Sequence, residues 1–213
     1  MSRRPLTTTS YAILAFLDLR PWATYDLANQ LRRSLHFFWP RAESNLYAEP
    51  KRLVEAGLAE AREEWNGDRK RTVYSITDDG RGTFTEWLTT PVAPQRLESE
   101  AFLRILFGNR GSKQDLLNAI GRLEEDATAI VSNYTTYGGG YARGEGQFPE
   151  RIHVNALVAS LAIAQGRATA RWAQWAREQV EAWDDTAVPD ADWAVRTLLD
   201  AIGDDGVAPE TRD

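Results

Sequence analysis

Residues 41–80 read RAESNLYAEPKRLVEAGLAEAREEWNGDRKRTVYSITDDG, and the hydrophobic period changes in the middle of them. Leu46, Leu53 and Val54 recur at helical spacing, so a helix is expected from Arg41 to Ala56, with Gly57 as its left-handed C-terminal cap. Beyond it, LAEAREEW and RTVYSIT carry strand patterns, joined by Asn66-Gly67 and the polar stretch Asp68 to Arg71. A further helix opens at Thr77 with TDDGRGTFTEWL.

Two more helices precede this stretch. YAILAFLDL places Tyr11, Leu14 and Leu17 on one stripe before Pro21 stops the helix. Thr24 is positioned to cap the next one, whose stripe is Leu27, Ala28 and Leu31 and which ends near Arg33. Three helices, a hairpin and a closing helix make a winged helix-turn-helix over residues 1–90, with Pro91 and Pro94 in a linker.

The remainder, 91–203, is helical. LESEAFLRILFG is a short amphipathic helix ending at Gly108. Ser112 and Asp115 resemble a capping box ahead of Leu116, Ile120, Leu123, Ala127, Ile130, Tyr134 and Tyr137, a heptad seam of the kind that coiled coils use. GGGYARGEGQ is expected to break the chain, and Pro149 to open a long helix from Glu150 to Trp183 with Val154, Val158, Leu161, Ala168, Trp172 and Trp175 as its seam. The two long helices form an antiparallel hairpin suited to dimerisation. A last helix spans about Asp190 to Ile202, and the acidic tail 204–213 is expected to be disordered. The fold class is therefore mainly α, a winged helix-turn-helix followed by an antiparallel helical dimerisation domain.

Charge supports this division. The chain of 213 residues has a net charge of −6, but residues 1–80 hold 12 Lys+Arg against 11 Asp+Glu (net +1), and residues 81–213 hold 13 against 20 (net −7). Phosphate contact depends on where cations stand and not on their sum over the chain. No stretch approaches the roughly 20 apolar residues of a membrane span, and MSRRP runs into Thr7, Thr8 and Thr9 without the apolar core of a signal peptide, so the chain is expected in the cytoplasm.

Once the predicted recognition helix buries its stripe, Arg41, Ser44, Asn45, Ala48, Lys51 and Arg52 face outward, with Tyr47 at the border. Ser44 and Asn45 are the expected base readers, because the N-terminal half of such a helix enters the major groove. Lys51, Arg52 and the wing cluster Arg69, Lys70 and Arg71 are expected on phosphates, with Arg3 and Arg4 as a basic arm. A charge run by itself is usually a solvated hairpin tip; here it directly follows a three-helix unit.

An enzyme is not expected, nor a cofactor. There is no cysteine, and the only histidines are His36, beside Phe37, Phe38 and Trp39, and His153, which has no carboxylate at ligand spacing except Glu150. The glycine run lacks the Lys-Ser/Thr of a phosphate loop. The remaining alternative is a winged-helix interaction module that does not touch DNA.

Several of these residues together resemble the PadR family of bacterial transcriptional regulators: Leu46-Tyr47, Lys51-Arg52-Leu53, Gly57-Leu58, and the junction from Tyr74 to Gly80. Pro50 departs from the family pattern, which more often has a helix-compatible apolar residue there, and it predicts a kink. The resemblance implies a homodimeric repressor that binds inverted-repeat operator DNA and is released by a small aromatic effector. Trp172, Trp175, Trp183, Trp39 and Trp87 include rings on which a planar ligand could stack, although core and interface packing is the more ordinary use of such rings.

Overall fold

The computed structural model describes residues 5–35, 39, 43–95, 97–186 and 191–203, without the side chains of Glu43, Ser44, Asn45, Asn66 and Ala191. The chain divides into two compact units, residues 1–95 and 96–213.

The first unit contains α1 (Thr8–Leu19), β1 (Trp22–Ala23), α2 (Thr24–Leu35), α3 (Glu43–Glu55), β2 (Ala59–Asn66), β3 (Arg69–Ile76) and α4 (Asp78–Leu88). A capping box between Thr7 and Ser10 starts α1, which buries Ile13, Leu14 and Leu17, as α2 buries Leu27 and Leu31 and α3 Leu53. Gly57, at φ 74°, ends α3. Its N–H bonds the Val54 carbonyl while that of Leu58 bonds the Leu53 carbonyl, the paired closure of a Schellman cap. This is the predicted helix stop, and it turns the chain into the wing.

The sheet has three strands in the order β1-β3-β2, all antiparallel. The sequence pattern does not announce β1. Trp22 pairs with Tyr74, and its indole N–H donates to the Phe16 carbonyl at 2.8 Å, so the chain after Pro21 is held to the hairpin. Thr24 opens α2, but its hydroxyl donates to the Thr72 carbonyl at 3.2 Å and so ties the helix to β3, which differs from the predicted capping role.

The second unit contains α5 (Glu100–Leu106), α6 (Lys113–Ala142), α7 (Ile152–Glu181) and α8 (Ala191–Ile202). The Ser112–Asp115 capping box is present, with both reciprocal bonds. Leu116, Ile120 and Ala127 of the predicted α6 seam are buried, and α7 packs antiparallel along that face. Two features differ from expectation. The glycines 138–140 do not break the chain: α6 runs through them to Ala142, and the turn comes at Gly144, φ 76°. Trp183 lies beyond the end of α7 and packs edge-on against Trp193 at 5.3 Å.

The inward face of α7 also differs. Gly166, Ala173, Ala176 and Val180 face α6, while the predicted seam of Val154, Val158, Leu161, Ala168, Trp172 and Trp175 stays exposed. The reason is distance: a Cβ on Gly166 would stand 2.8 Å from Val131 Cγ2 and 3.0 Å from the Ala127 carbonyl oxygen, so only small residues let the helices approach this closely. Gly166→Val is expected to force the hairpin apart and lower stability by about 1–3 kcal/mol, the range for overpacking, measurable by urea denaturation. Arg177 and Glu124 bridge the two helices at 2.7 Å. That hydrogen bond holds the Glu124 carboxyl below its ordinary value, so the contribution of the pair should persist until the pH falls below the usual carboxylate range.

Candidate nucleic-acid interface

The inner stripe of α3 consists of Leu46, Glu49, Pro50 and Leu53, all buried and spaced three, one and three residues apart. Val54, expected in this stripe, is only half-buried, and Ala48, expected outward, is half-buried as well. Pro50 supplies no N–H to the Leu46 carbonyl, yet the helix continues through it to Glu55, and Lys51 and Arg52 beyond it reach solvent. Tyr47 lies at the border with 36% of its surface exposed, as its position in the period predicts. Ser44 and Asn45 occupy the first turn of α3, and their side chains fall outside the described residues, as do Arg41, His36 and the arm residues Arg3 and Arg4.

The wing is tighter than expected. Its loop is the two residues Gly67 and Asp68, with Gly67 at φ 61°, and Asn66 is already the last residue of β2. Arg69, Lys70 and Arg71 therefore belong to β3 and do not share one loop tip. Alternation sends Arg69 and Arg71 to one face of the hairpin and Lys70 to the other.

Carboxylates of the opposing strand engage two of these cations: Lys70 bonds Glu63 at 2.5 Å and Arg71 bonds Glu64 at 3.1 Å. Glu64 also accepts from Arg62 at 2.6 Å. Hydrogen bonds from Arg62, then Arg71, hold its carboxyl below the ordinary range. Among the described residues, Arg69 and Lys51 are exposed cations without an ion pair.

Two residues escaped the sequence analysis. Trp65 is 71% exposed, directly across from Lys70 on the wing. Glu49 is a buried carboxylate on the inner side of α3. Its signal was available in outline, since it falls three residues after Leu46 and four before Leu53, in the inward register.

Residues 13–86, from the core of α1 to the last turn of α4, match the transcriptional regulator PadR-like family. Over this domain the chain is similar to the PadR-like family. A relative, the negative transcriptional regulator PadR of Bacillus subtilis (strain 168), is 29% identical over 108 residues, which cover 49% of this chain and 59% of that protein. The chain thus matches somewhat under two thirds of that relative's length. The crystal structure of Bacillus subtilis PadR in complex with operator DNA is similar at a TM-score of 0.68 and 22% identity, covering 82% of this chain and 99% of that one. The same protein in complex with p-coumaric acid gives 0.62 and 21%, covering 84% and 99%. At these identities the likeness establishes the fold, and its coverage carries the PadR-like architecture beyond the winged helix into the long helices.

The family is one of transcriptional regulators and not of enzymes. Among the described residues there is no cluster of three or more His, Cys, Asp or Glu placed to hold a metal ion. No helix among them is long and apolar enough to cross a membrane.

Proposed function

We propose that this PadR-like chain is a DNA-binding transcriptional regulator, a cytoplasmic repressor without enzymatic activity that binds an inverted-repeat operator as a homodimer. The observation carrying the proposal is the PadR-like match over a three-helix unit whose third helix exposes Tyr47, Lys51 and Arg52 and whose hairpin exposes Arg69, Lys70 and Arg71. In this reading Ser44 and Asn45, at the start of α3, meet base edges, and the later cations and the wing meet phosphates. The exposed apolar face of α7 supplies the dimer contact. A small aromatic effector, by analogy with the p-coumaric acid bound to Bacillus subtilis PadR, would bind the helical unit and weaken DNA binding.

The alternative, an interaction module without DNA, draws on the ion pairs that engage Lys70 and Arg71 and on the exposed Trp65. Salt dependence separates the two. Titration of the chain's own upstream duplex should give a log affinity falling linearly with log salt concentration, by about 0.9 per phosphate neutralised. Substituting Arg69, Lys70 and Arg71 together by alanine should weaken specific and random duplexes alike and flatten that slope by about 0.9 for each phosphate left without its cation. A slope near zero, or one unchanged in the triple variant, would favour the interaction module.

A further inference from the structure

We propose that Glu49 is a positioning residue of the DNA interface, holding the Arg52 guanidinium at the surface of α3, with Ser10 of α1 fixing the Glu49 carboxylate in turn. The inference rests on the DNA-binding reading above and names a residue that makes no contact with DNA itself.

The geometry is a continuous relay. Ser10 is fully buried and its hydroxyl donates to Glu49 Oε1 at 2.5 Å. The Ser10 oxygen accepts the Thr7 N–H at 2.8 Å, which anchors it in the capping box of α1. Glu49, 7% exposed, turns its other oxygen, Oε2, to Arg52, whose Nη1 donates to it at 3.1 Å. The Arg52 side chain is 51% exposed, so one end of the relay lies in the core and the other in solvent.

A carboxylate is poorly tolerated in the interior unless its oxygens are satisfied, and a leucine or alanine would fill this inward position without that requirement. What the carboxylate adds is direction. A free arginine samples many rotamers, whereas this guanidinium is tethered through one of its five N–H donors, leaving the others for a planar, two-pronged contact such as a phosphate. Its partner Glu49 is itself fixed to another helix through Ser10, so α1 sets where Arg52 stands relative to the groove. Neighbouring Lys51, exposed and without an ion pair among the described residues, lacks any such constraint.

A double-mutant cycle on the full chain tests this with the upstream duplex as probe: wild type, E49Q, R52A and the combined variant, each followed by anisotropy and thermal denaturation. Glutamine keeps an oxygen for Ser10 and nearly the same volume. E49Q should weaken binding about fivefold when Arg52 is present and less than about twofold when it is replaced, the coupling expected of residues in one network. Equal losses in both backgrounds would reduce Glu49 to a structural lock and overturn the proposal, and so would no loss at all. If E49Q melts too early to be assayed, S10A in the same cycle gives the same decision, because it removes the anchor and leaves the ion pair. A wild-type chain without salt-dependent binding is a different result: it removes the DNA-binding reading itself.

Discussion

Replacing Leu157 and Leu161 by glutamate is expected to turn the proposed dimer into a monomer without unfolding the chain. The two residues are 70% and 59% exposed in the single chain, one helical turn apart on the side of α7 turned away from α6. Val154, Val158, Trp172 and Trp175 extend this apolar stripe along the helix. Stripes of this length are uncommon on monomers and usually mark an interface. In a two-fold dimer each substitution occurs twice, so four carboxylates would be taken out of water without partners. Uncompensated buried charges cost about 3–5 kcal/mol each where burial is complete. Even partial burial should raise the dimer dissociation constant more than about 100-fold, which corresponds to about 2.8 kcal/mol. Sedimentation velocity at micromolar concentration should show wild type as a dimer and the variant as a monomer, with unchanged far-ultraviolet dichroism. A variant that stays dimeric would move the interface elsewhere, with the exposed apolar residues of α5 and α8 as the next surfaces to test.

Gly80→Ala should have the opposite profile, destroying the winged unit while leaving the proposed dimer interface on α7 intact. A Cβ on Gly80 would stand 2.0 Å from the Leu58 carbonyl oxygen and 2.9 Å from Ile76 Cγ1. That carbonyl cannot yield cheaply, because it accepts the Thr77 N–H at 3.2 Å. Thr77 in turn donates to the Gly57 carbonyl at 2.8 Å and accepts the Gly80 N–H at 3.1 Å. The α3–β2 turn and the β3–α4 junction are thus stitched together where the methyl group would enter. The loss should exceed about 3 kcal/mol, beyond the usual range for single substitutions. Duplex binding should vanish while the mass from sedimentation equilibrium remains that of two chains. This close approach also gives the physical reason for the glycine that closes the segment from Tyr74 to Gly80.

What could be read in advance follows from the range over which each feature is determined. The helices α1, α2 and α3, the Gly57 stop, the hairpin and the capping box of α6 are set by residues within a few positions of one another, and periodicity and cap chemistry reveal them. The strand β1 consists of two residues defined only by Trp22 pairing with Tyr74, more than fifty positions later, so no local pattern reveals it. The glycines 138–140 resemble a break because each costs a helix up to about 1 kcal/mol relative to alanine; the surrounding helix overrides that cost.

On α7 the large side chains suggest the seam with α6. The pairing is set instead by Gly166, whose missing side chain admits α6, and the large residues are left for the outer face. In the candidate site, Lys51, Arg52 and the wing cations are legible as types and positions. Their pairings are not. Lys70 with Glu63 and Arg71 with Glu64 depend on a two-residue loop that sets the register, and Glu49 depends on a serine 39 residues upstream.

The most direct test of the regulator assignment is a footprint of the protein on the DNA upstream of its own gene. Two protected half-sites related by a two-fold axis, with centres about one helical turn apart, are predicted, and random competitor DNA should displace the protein only at large excess. Uniform protection of any duplex, or none at physiological salt, would contradict the account.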